Sequence, residues 1–136
     1  MRLTRYTDYA LRVLIYLAAH DDRTCAIAEI AKAYGISYNH LMKVVNTLGR
    51  EGFVDAVRGR GGGLRLSRPA DRIRVGDVVR KTEEGLELAD CASCLIAPAC
   101  GLTSVLAQGV QAMLKVFDRF TVADLVKKQI ALRALF

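Results

Sequence analysis

The sequence predicts a mainly α-helical protein with a small β wing, arranged as a winged helix-turn-helix followed by a long C-terminal dimerisation helix. Two amphipathic helical segments meet at a short turn that contains Gly35. A glycine-rich turn then joins two short β-prone runs, which is typical of a hairpin. An apolar stripe at helical spacing begins at Leu102. The 136 residues suffice for one domain and are too few for two independent cores.

The first three helices are placed by capping residues and apolar spacing. Residues 4–20 form the first helix, with Thr4 as its cap, and it is apolar on nearly all sides, which predicts that it is buried. Thr24 is expected to cap a second helix that stops at Gly35. The third helix ends at Gly52. Its predicted buried stripe comprises Leu41, Val44, Val45 and Leu48.

The rest of the chain is predicted as a hairpin, a short helix, a loop and a long helix. Strands at 53–57 and 64–66 flank the glycine-rich turn. A short helix covers 75–84, the loop 85–100 holds three cysteines, and the long helix covers 102–120.

Three regions of one structural domain follow from these elements. Residues 1–80 are the winged helix-turn-helix, predicted to bind DNA, and 81–101 are a cysteine-rich, cluster-binding loop. Residues 102–136 are the dimerisation helix and its tail, in which Thr121-x-x-Asp124 predicts a capping box and a last short helix.

One polar helix face and one basic turn predict DNA binding. The face lies opposite the buried stripe of the third helix, with the residues of the helix start beside it, and two arginines occupy the glycine-rich turn. These candidates are Ser37, Tyr38, Asn39, His40, Lys43, Asn46, Arg50, Arg58 and Arg60. Asparagine reads adenine, lysine and arginine read guanine or hold phosphate, and arginine suits a minor groove. The net charge of +6 favours such a polyanionic partner. The alternative is a solvated helix face and a mobile basic hairpin.

Three of the four cysteines, Cys91, Cys94 and Cys100, form the pattern C-x2-C-x5-C. Thiolates suit iron–sulfur clusters, zinc or copper(I). Three thiolates leave a four-ligand centre one short, so the fourth ligand must come from elsewhere in the fold, from a partner chain or from outside. Unused surface thiols, a zinc site and a disulfide switch are the alternatives. Cys25 is isolated and is expected to be a small buried residue.

Other classes of protein find little support in the sequence. The apolar run 13–19 is too short for a membrane span and has no cleavage-site pattern, so we expect a cytoplasmic protein with reduced thiols and no membrane partner. An enzyme or an electron carrier that uses a cluster is the alternative from another class, but no nucleophile–base pair, substrate fingerprint or cofactor motif supports it.

The segments MRLTRYTDYALRVLIYLA and VRGRGGGLRLSRPADRIRVGDVVR, together with the cysteine loop, resemble the Rrf2 family of bacterial regulators over essentially the whole chain. The runs NHLMKVVNTL and APACGL are similar to the nitric-oxide-sensing repressors of that family. The resemblance implies a homodimer on a double-stranded DNA operator, and an iron–sulfur cluster held by Cys91, Cys94 and Cys100. It implies a 4Fe–4S centre, with 2Fe–2S as the alternative, and Asp8 from the partner protomer as fourth ligand. A simpler role for Asp8 is an ion pair with Arg12, one helical turn away.

The function that this resemblance implies is a transcriptional repressor whose operator affinity is controlled by a cluster that reacts with nitric oxide. The gap between Cys91 and Cys94 is shorter than in several members of the family. Sensing of iron supply, of cluster supply or of redox stress is therefore an alternative, as is a regulator stapled by zinc.

Overall fold

The computed structural model describes residues 1–136 as seven α-helices, two short 3-10 helices and one two-stranded antiparallel sheet. In chain order the elements are α1 (Arg5–Ala19), α2 (Ile27–Tyr34), α3 (Tyr38–Arg50), β1 (Val54–Val57), β2 (Gly63–Leu66), α4 (Val75–Thr82), α5 (Leu102–Phe117), α6 (Val122–Leu125) and α7 (Gln129–Arg133). The predicted class, mainly α-helical with a small β wing, is confirmed.

Helix α1 lies at the centre of the molecule. Thr4 caps it, because its hydroxyl accepts a hydrogen bond from the Thr7 N–H at 3.3 Å. Ala10, Val13 and Leu14 are completely buried in a core of 19 buried residues. The four apolar residues of the predicted α3 stripe belong to the same core, so the prediction of a buried α1 and of the buried face of α3 is confirmed.

The turn between α2 and α3 forms at Gly35, whose φ of +63° is a conformation that side chains rarely adopt. The predicted cap of α2 is wrong, because the helix begins at Ile27 and the Glu29 carboxylate accepts from the Ala26 N–H at 3.1 Å. Thr24 instead donates its hydroxyl to the carbonyl of Gly61, at 2.7 Å. Contact with a distant loop has therefore replaced local capping.

The wing is a short hairpin anchored on the segment before α2. Val54 pairs with Leu66 and Val57 with Gly63. Cys25 extends this sheet by an antiparallel bridge: its N–H donates to the Leu64 carbonyl at 2.9 Å and its carbonyl accepts from the Leu64 N–H at 2.7 Å. The wing is thus hydrogen-bonded on one edge to the helix-turn-helix.

Helix α5 ends at Phe117, three residues earlier than the sequence predicts. The chain turns there because the carbonyl of Phe120 accepts a hydrogen bond from the Val75 N–H at 2.9 Å, next to an antiparallel bridge between Arg74 and Thr121. A small second core joins α4 to α5 through Val75, Val79, Val110 and Leu114. The remainder of α5 is largely exposed.

The tail folds back onto α1. The predicted Thr121–Asp124 capping box is confirmed, with the Thr121 N–H 2.8 Å from the Asp124 carboxylate. Helix α7, which the sequence analysis missed, carries Gln129 and Arg133, and both side chains donate to the carbonyl of Ala19 at the end of α1. No helix combines the length and the apolar character needed to span a membrane.

Candidate nucleic-acid interface and cysteine loop

Helix α3 presents one apolar and one polar face. The apolar stripe packs into the core, and this burial leaves Asn39, Lys43, Asn46 and Arg50 exposed on the other side. Ser37, Tyr38 and His40, at the start of the helix, are exposed as well. The structure therefore brings Asn39, Lys43, Asn46 and Arg50 together on one accessible face, with the exposed residues of the helix start next to it. Their contact with DNA stays a prediction.

The electrostatic state of this face is favourable for an anion. Of its cations, Arg50 has local partners: it donates to the Thr47 hydroxyl at 3.4 Å and lies 3.8 Å from the Glu51 carboxylate. The eleven ion pairs of the protomer involve neither Lys43 nor the two wing arginines. Their positive charges are therefore not neutralised within the protomer.

Arg58 and Arg60 lie exposed on the turn of the wing. The glycines around them have a structural role in the hairpin. A Cβ on Gly62 would lie 2.4 Å from the Val57 carbonyl oxygen, and one on Gly63 would lie 2.8 Å from the Cys25 carbonyl oxygen. The hairpin itself therefore requires glycine at both positions.

Sequence reasoning missed one basic residue beside α3. A cleft between α1 and α3 is lined by Arg5, Tyr6, Tyr9, His40, Lys43 and Val44. The Tyr6 hydroxyl fixes the two helices together, because it lies 2.6 Å from the Thr47 hydroxyl and 3.1 Å from the Lys43 carbonyl. Arg5 therefore adds positive charge next to Lys43. The sequence shows Arg5 at the first position of α1, but only the packing of α1 against α3 shows that this arginine lies beside the recognition face.

The three loop cysteines lie on successive turns of the backbone. The N–H of Cys94 donates to the Cys91 carbonyl at 3.3 Å, and the N–H of Cys100 donates to the Ala97 carbonyl at 3.3 Å. Asp90 fixes the first turn through hydrogen bonds from the Ser93 N–H and hydroxyl, which hold the pKa of Asp90 below its usual value. Cys94 is exposed and the other two thiols are partly exposed.

The donor set fits a metal cluster in its chemistry, although one protomer does not assemble it. All three thiols are free, and one loop carries them with access to solvent, as soft-metal ligands require. No group of three or more Cys, His, Asp or Glu side chains within the protomer is arranged to hold a metal ion. Such a centre would need the loop to close around it and an additional ligand.

Asp8 and Cys25 differ from the loop cysteines in their surroundings. Asp8 accepts a hydrogen bond from Arg12 Nε at 3.0 Å, and this bond raises the pKa of Arg12. The ion pair that was the simpler alternative for Asp8 is therefore present in the protomer. Cys25 is completely buried, as expected, and burial raises its pKa to about 11, so its thiol stays protonated and inert at neutral pH.

Over most of its length the chain is similar to known transcriptional regulators. The family model Rrf2, described as an iron-dependent transcriptional regulator, matches residues 3–128. The structure of IscR from T. potens is similar, with a TM-score of 0.79 and 27% identity over 94% of this chain and 88% of that one. CymR of B. subtilis, the global cysteine regulator, has a TM-score of 0.77 and 24% identity over 94% and 98% of the two chains. CymR of Staphylococcus aureus has a TM-score of 0.77 and 24% identity over 91% and 97%.

Proposed function

Because the chain belongs to the Rrf2 family of transcriptional regulators, we propose that it is a homodimeric, NsrR-like repressor whose operator affinity is controlled by an iron–sulfur cluster that reacts with nitric oxide. The observation that carries the DNA-binding part is the exposed face of α3, whose Lys43 has no ion-pair partner, next to a basic wing.

The recognition face and the wing have separate tasks on DNA. The N-terminal part of α3 enters the major groove, where Asn39, Lys43 and Asn46 meet base edges or phosphates. Arg58 and Arg60 hold the backbone or enter the adjacent minor groove. Two copies related by a dyad read a near-palindromic site, because each protomer presents the same face once.

The dimer is proposed from the surface of α5. Leu102, Val105 and Val116 are exposed by 55%, 61% and 42% in the protomer, which is unusual for large apolar residues along one helix. A second copy of the same helix, crossing α5, would cover them. This arrangement also brings a second α1 into the assembly, and with it a second Asp8.

Cys91, Cys94, Cys100 and the partner's Asp8 are the residues proposed to hold the cluster. When bound, the cluster would supply iron that can react with nitric oxide. A carboxylate exchanges more readily than a thiolate, so Asp8 would be the most labile of the four ligands. Arg12, 3.0 Å from Asp8 in the protomer, is in place to receive the released carboxylate. Asp8 would thus have two alternative partners, the cluster when it is bound and Arg12 when it is not.

A second candidate function, the sensing of iron supply or redox stress, rests on the accessibility of the three free thiols. It uses the same loop and the same DNA face. A third hypothesis is that the loop binds zinc, which would stabilise the structure and take no part in sensing.

The cluster proposal is tested by the metal and sulfide content of protein purified without oxygen. We expect iron and sulfide in near-equal, multiple amounts per chain in the wild type, and normal loading to be lost in Cys94→Ser. Cys25→Ala is the matched control, because the buried Cys25 is not a ligand, and it should load normally. Zinc alone, or normal iron in Cys94→Ser, would contradict the proposal.

The DNA proposal is tested by binding to a duplex that the wild-type dimer selects from a randomised pool. Lys43→Ala should weaken binding and lower the slope of log K against log salt by about one per lost phosphate contact. Lys128→Ala, which removes an exposed lysine of the tail that is not part of this face, is the control. Treatment of the loaded protein with nitric oxide should weaken binding to the same duplex, and unchanged affinity would rule out nitric oxide as the signal.

A further inference from the structure

Four consecutive residues at the end of α4 make contacts with three different parts of the fold. The four contacts are Arg80 with Asp118, Lys81 with Glu51, Thr82 with Thr7, and Glu83 with Thr4. The cysteine loop begins directly after this segment, which we call the α4 junction (residues 80–83). The junction therefore touches the end of α5, the end of α3 and the start of α1.

The contact with α5 is a two-point ion pair. Arg80 Nη1 and Nη2 lie 2.6 Å and 2.8 Å from the two oxygens of Asp118, which caps the end of α5. Gly76, one turn earlier on α4, makes room for this pair, because a Cβ there would lie 2.0 Å from Asp118 Oδ1. Two parallel bonds restrict orientation as well as distance, so α4 and the end of α5 are held in one register.

The contact with α3 lies at the end of the recognition helix. Lys81 Nζ lies 3.0 Å from the Glu51 carboxylate, and Glu51 closes α3 by donating its N–H to the Thr47 carbonyl at 2.9 Å. The Glu51 side chain is only 24% exposed. A single surface ion pair of this kind contributes little to stability, so its value lies in where it holds the helix end.

Thr82 and Glu83 attach the same segment to α1. The Thr82 hydroxyl is buried, 3.1 Å from the Thr7 hydroxyl and 2.8 Å from the Val78 carbonyl. The Glu83 carboxylate accepts hydrogen bonds from the Thr4 N–H at 3.0 Å and 3.1 Å. The central helix thus provides a fixed reference against which the junction holds the other two helices.

We propose that Lys81 and Arg80 are positioning residues for DNA recognition: the α4 junction passes the position of α5 and the cysteine loop to the end of α3. This inference rests on the proposed use of α3 as the recognition helix. A displacement of α5 acts on Asp118, then on Arg80, and reaches Glu51 through Lys81. Neither lysine nor arginine of the junction has to touch DNA for this role.

The direction in which one substitution changes the DNA affinity distinguishes positioning from a simple electrostatic effect. Glu51→Met removes a negative charge near the DNA face and also frees Arg50, whose Nε lies 3.8 Å from the Glu51 carboxylate, so a purely electrostatic effect would tighten binding to every duplex. Positioning predicts the reverse for the selected duplex, with about fivefold weaker binding, and no loss on a scrambled duplex of equal composition. The swap Glu51→Lys with Lys81→Glu restores the pair at constant net charge and should recover most of the affinity. Lys127→Met, which breaks the ion pair between Lys127 and Asp124 and removes none of the four junction contacts, is the matched control.

A second measurement needs no DNA. Asp118→Asn breaks the Arg80 contact and touches nothing on α3, and we expect faster amide hydrogen exchange in the last turn of α3, residues 47–51. Exchange there should stay unchanged in Lys127→Met. Unchanged exchange in Asp118→Asn, or equal or tighter binding of Glu51→Met to the selected duplex, would overturn the inference. A wild type that does not distinguish the two duplexes contradicts the proposed recognition instead, and the exchange experiment then decides the relay by itself.

Discussion

At the scale of single residues, Gly63 shows how strongly the wing depends on backbone space. Its φ of +148° is unusual for other residues, and its Cα faces the Cys25 carbonyl across the bridge between wing and helix-turn-helix. The same crowding that excludes a side chain allows the two hydrogen bonds between Cys25 and Leu64. Because Gly63 has no side chain, the wing can hydrogen-bond to Cys25, and this contact helps to fix the position of the two wing arginines.

We predict that Gly63→Ala destabilises the protein by more than about 1 kcal/mol, because the new methyl group meets backbone and the conformation disfavours alanine. Gly49→Ala is the control: Gly49 lies in α3, and a Cβ there has its nearest neighbour at 3.9 Å. That change should raise stability by about 0.5–1 kcal/mol. Urea unfolding of both variants measures the difference, and equal stability of the two would contradict the prediction.

Sequence reasoning succeeded for those residues whose role is decided by near neighbours. Thr4, Gly35 and Thr121 act within three or four residues along the chain, and each was predicted correctly. Thr24 was misread, because its hydroxyl is bound by the Gly61 carbonyl, 37 positions away. Nothing in the local sequence distinguishes a threonine that caps a helix from one that supports a distant turn.

At the scale of elements, α6 depends on a capping box whose acidic partner has a low pKa. Hydrogen bonds, first from the Thr121 N–H and next from Lys127, lower the pKa of Asp124 to about 2. An aspartate in an unfolded chain titrates near 3.9. Since the folded pKa is the lower one, the stabilising contribution is present above about pH 4 and is lost as pH falls towards 2.

We predict that Asp124→Asn lowers the thermal midpoint at pH 7, and that its gap from the wild type narrows between about pH 4 and pH 2. Lys127→Met keeps the capping box and removes only the ion pair, so it should show a smaller gap at pH 7. Thermal unfolding followed by circular dichroism at several pH values measures both. A gap that stays constant down to pH 2 would show that the Asp124 charge does not stabilise α6.

Helices α4 and α5 show that apolar spacing alone does not predict where an element ends or which of its faces is buried. Apolar spacing continues to Phe120, but the helix stops at Phe117 because the Phe120 carbonyl is bound by Val75. The apolar residues of α5 also divide between two faces, which their spacing alone did not predict. Val110 and Leu114 point into the protomer, whereas the outer stripe consists of Leu102, Val105, Gly109, Ala112 and Val116. Only the packing of α4 distinguishes the two faces.

At the scale of the whole molecule, the outer stripe of α5 has the alternating spacing of three and four residues that helix pairs use. Gly109 and Ala112 are small and would let two such helices approach closely at their centre. The sequence predicted three metal donors on one loop, but no group of three or more Cys, His, Asp or Glu side chains within one chain is arranged to hold a metal ion. The cluster and its ligands stay a proposal, because a ligand supplied by a second copy cannot be identified from the pattern of one chain.

We predict that Val105→Glu converts the dimer to a monomer and weakens binding to the selected duplex, because a charge would be buried between the two helices. Gln111→Glu adds the same charge on the polar side of α5 and should leave the dimer intact. Light scattering coupled to size-exclusion chromatography reports the mass of each variant. A dimeric Val105→Glu would mean that another surface joins the protomers.

The unequal size of the two cores has a consequence for the amount of protein in a cell. Within a protomer, α5 is held by a cluster of only four buried residues, against 19 in the main core. An unpaired chain is therefore expected to open locally at this end, where proteases cleave most readily. Chains that fail to find a partner would be degraded first. The rate of pairing rises with the square of the chain concentration. The abundance of the paired regulator would therefore rise more than proportionally with the rate of synthesis.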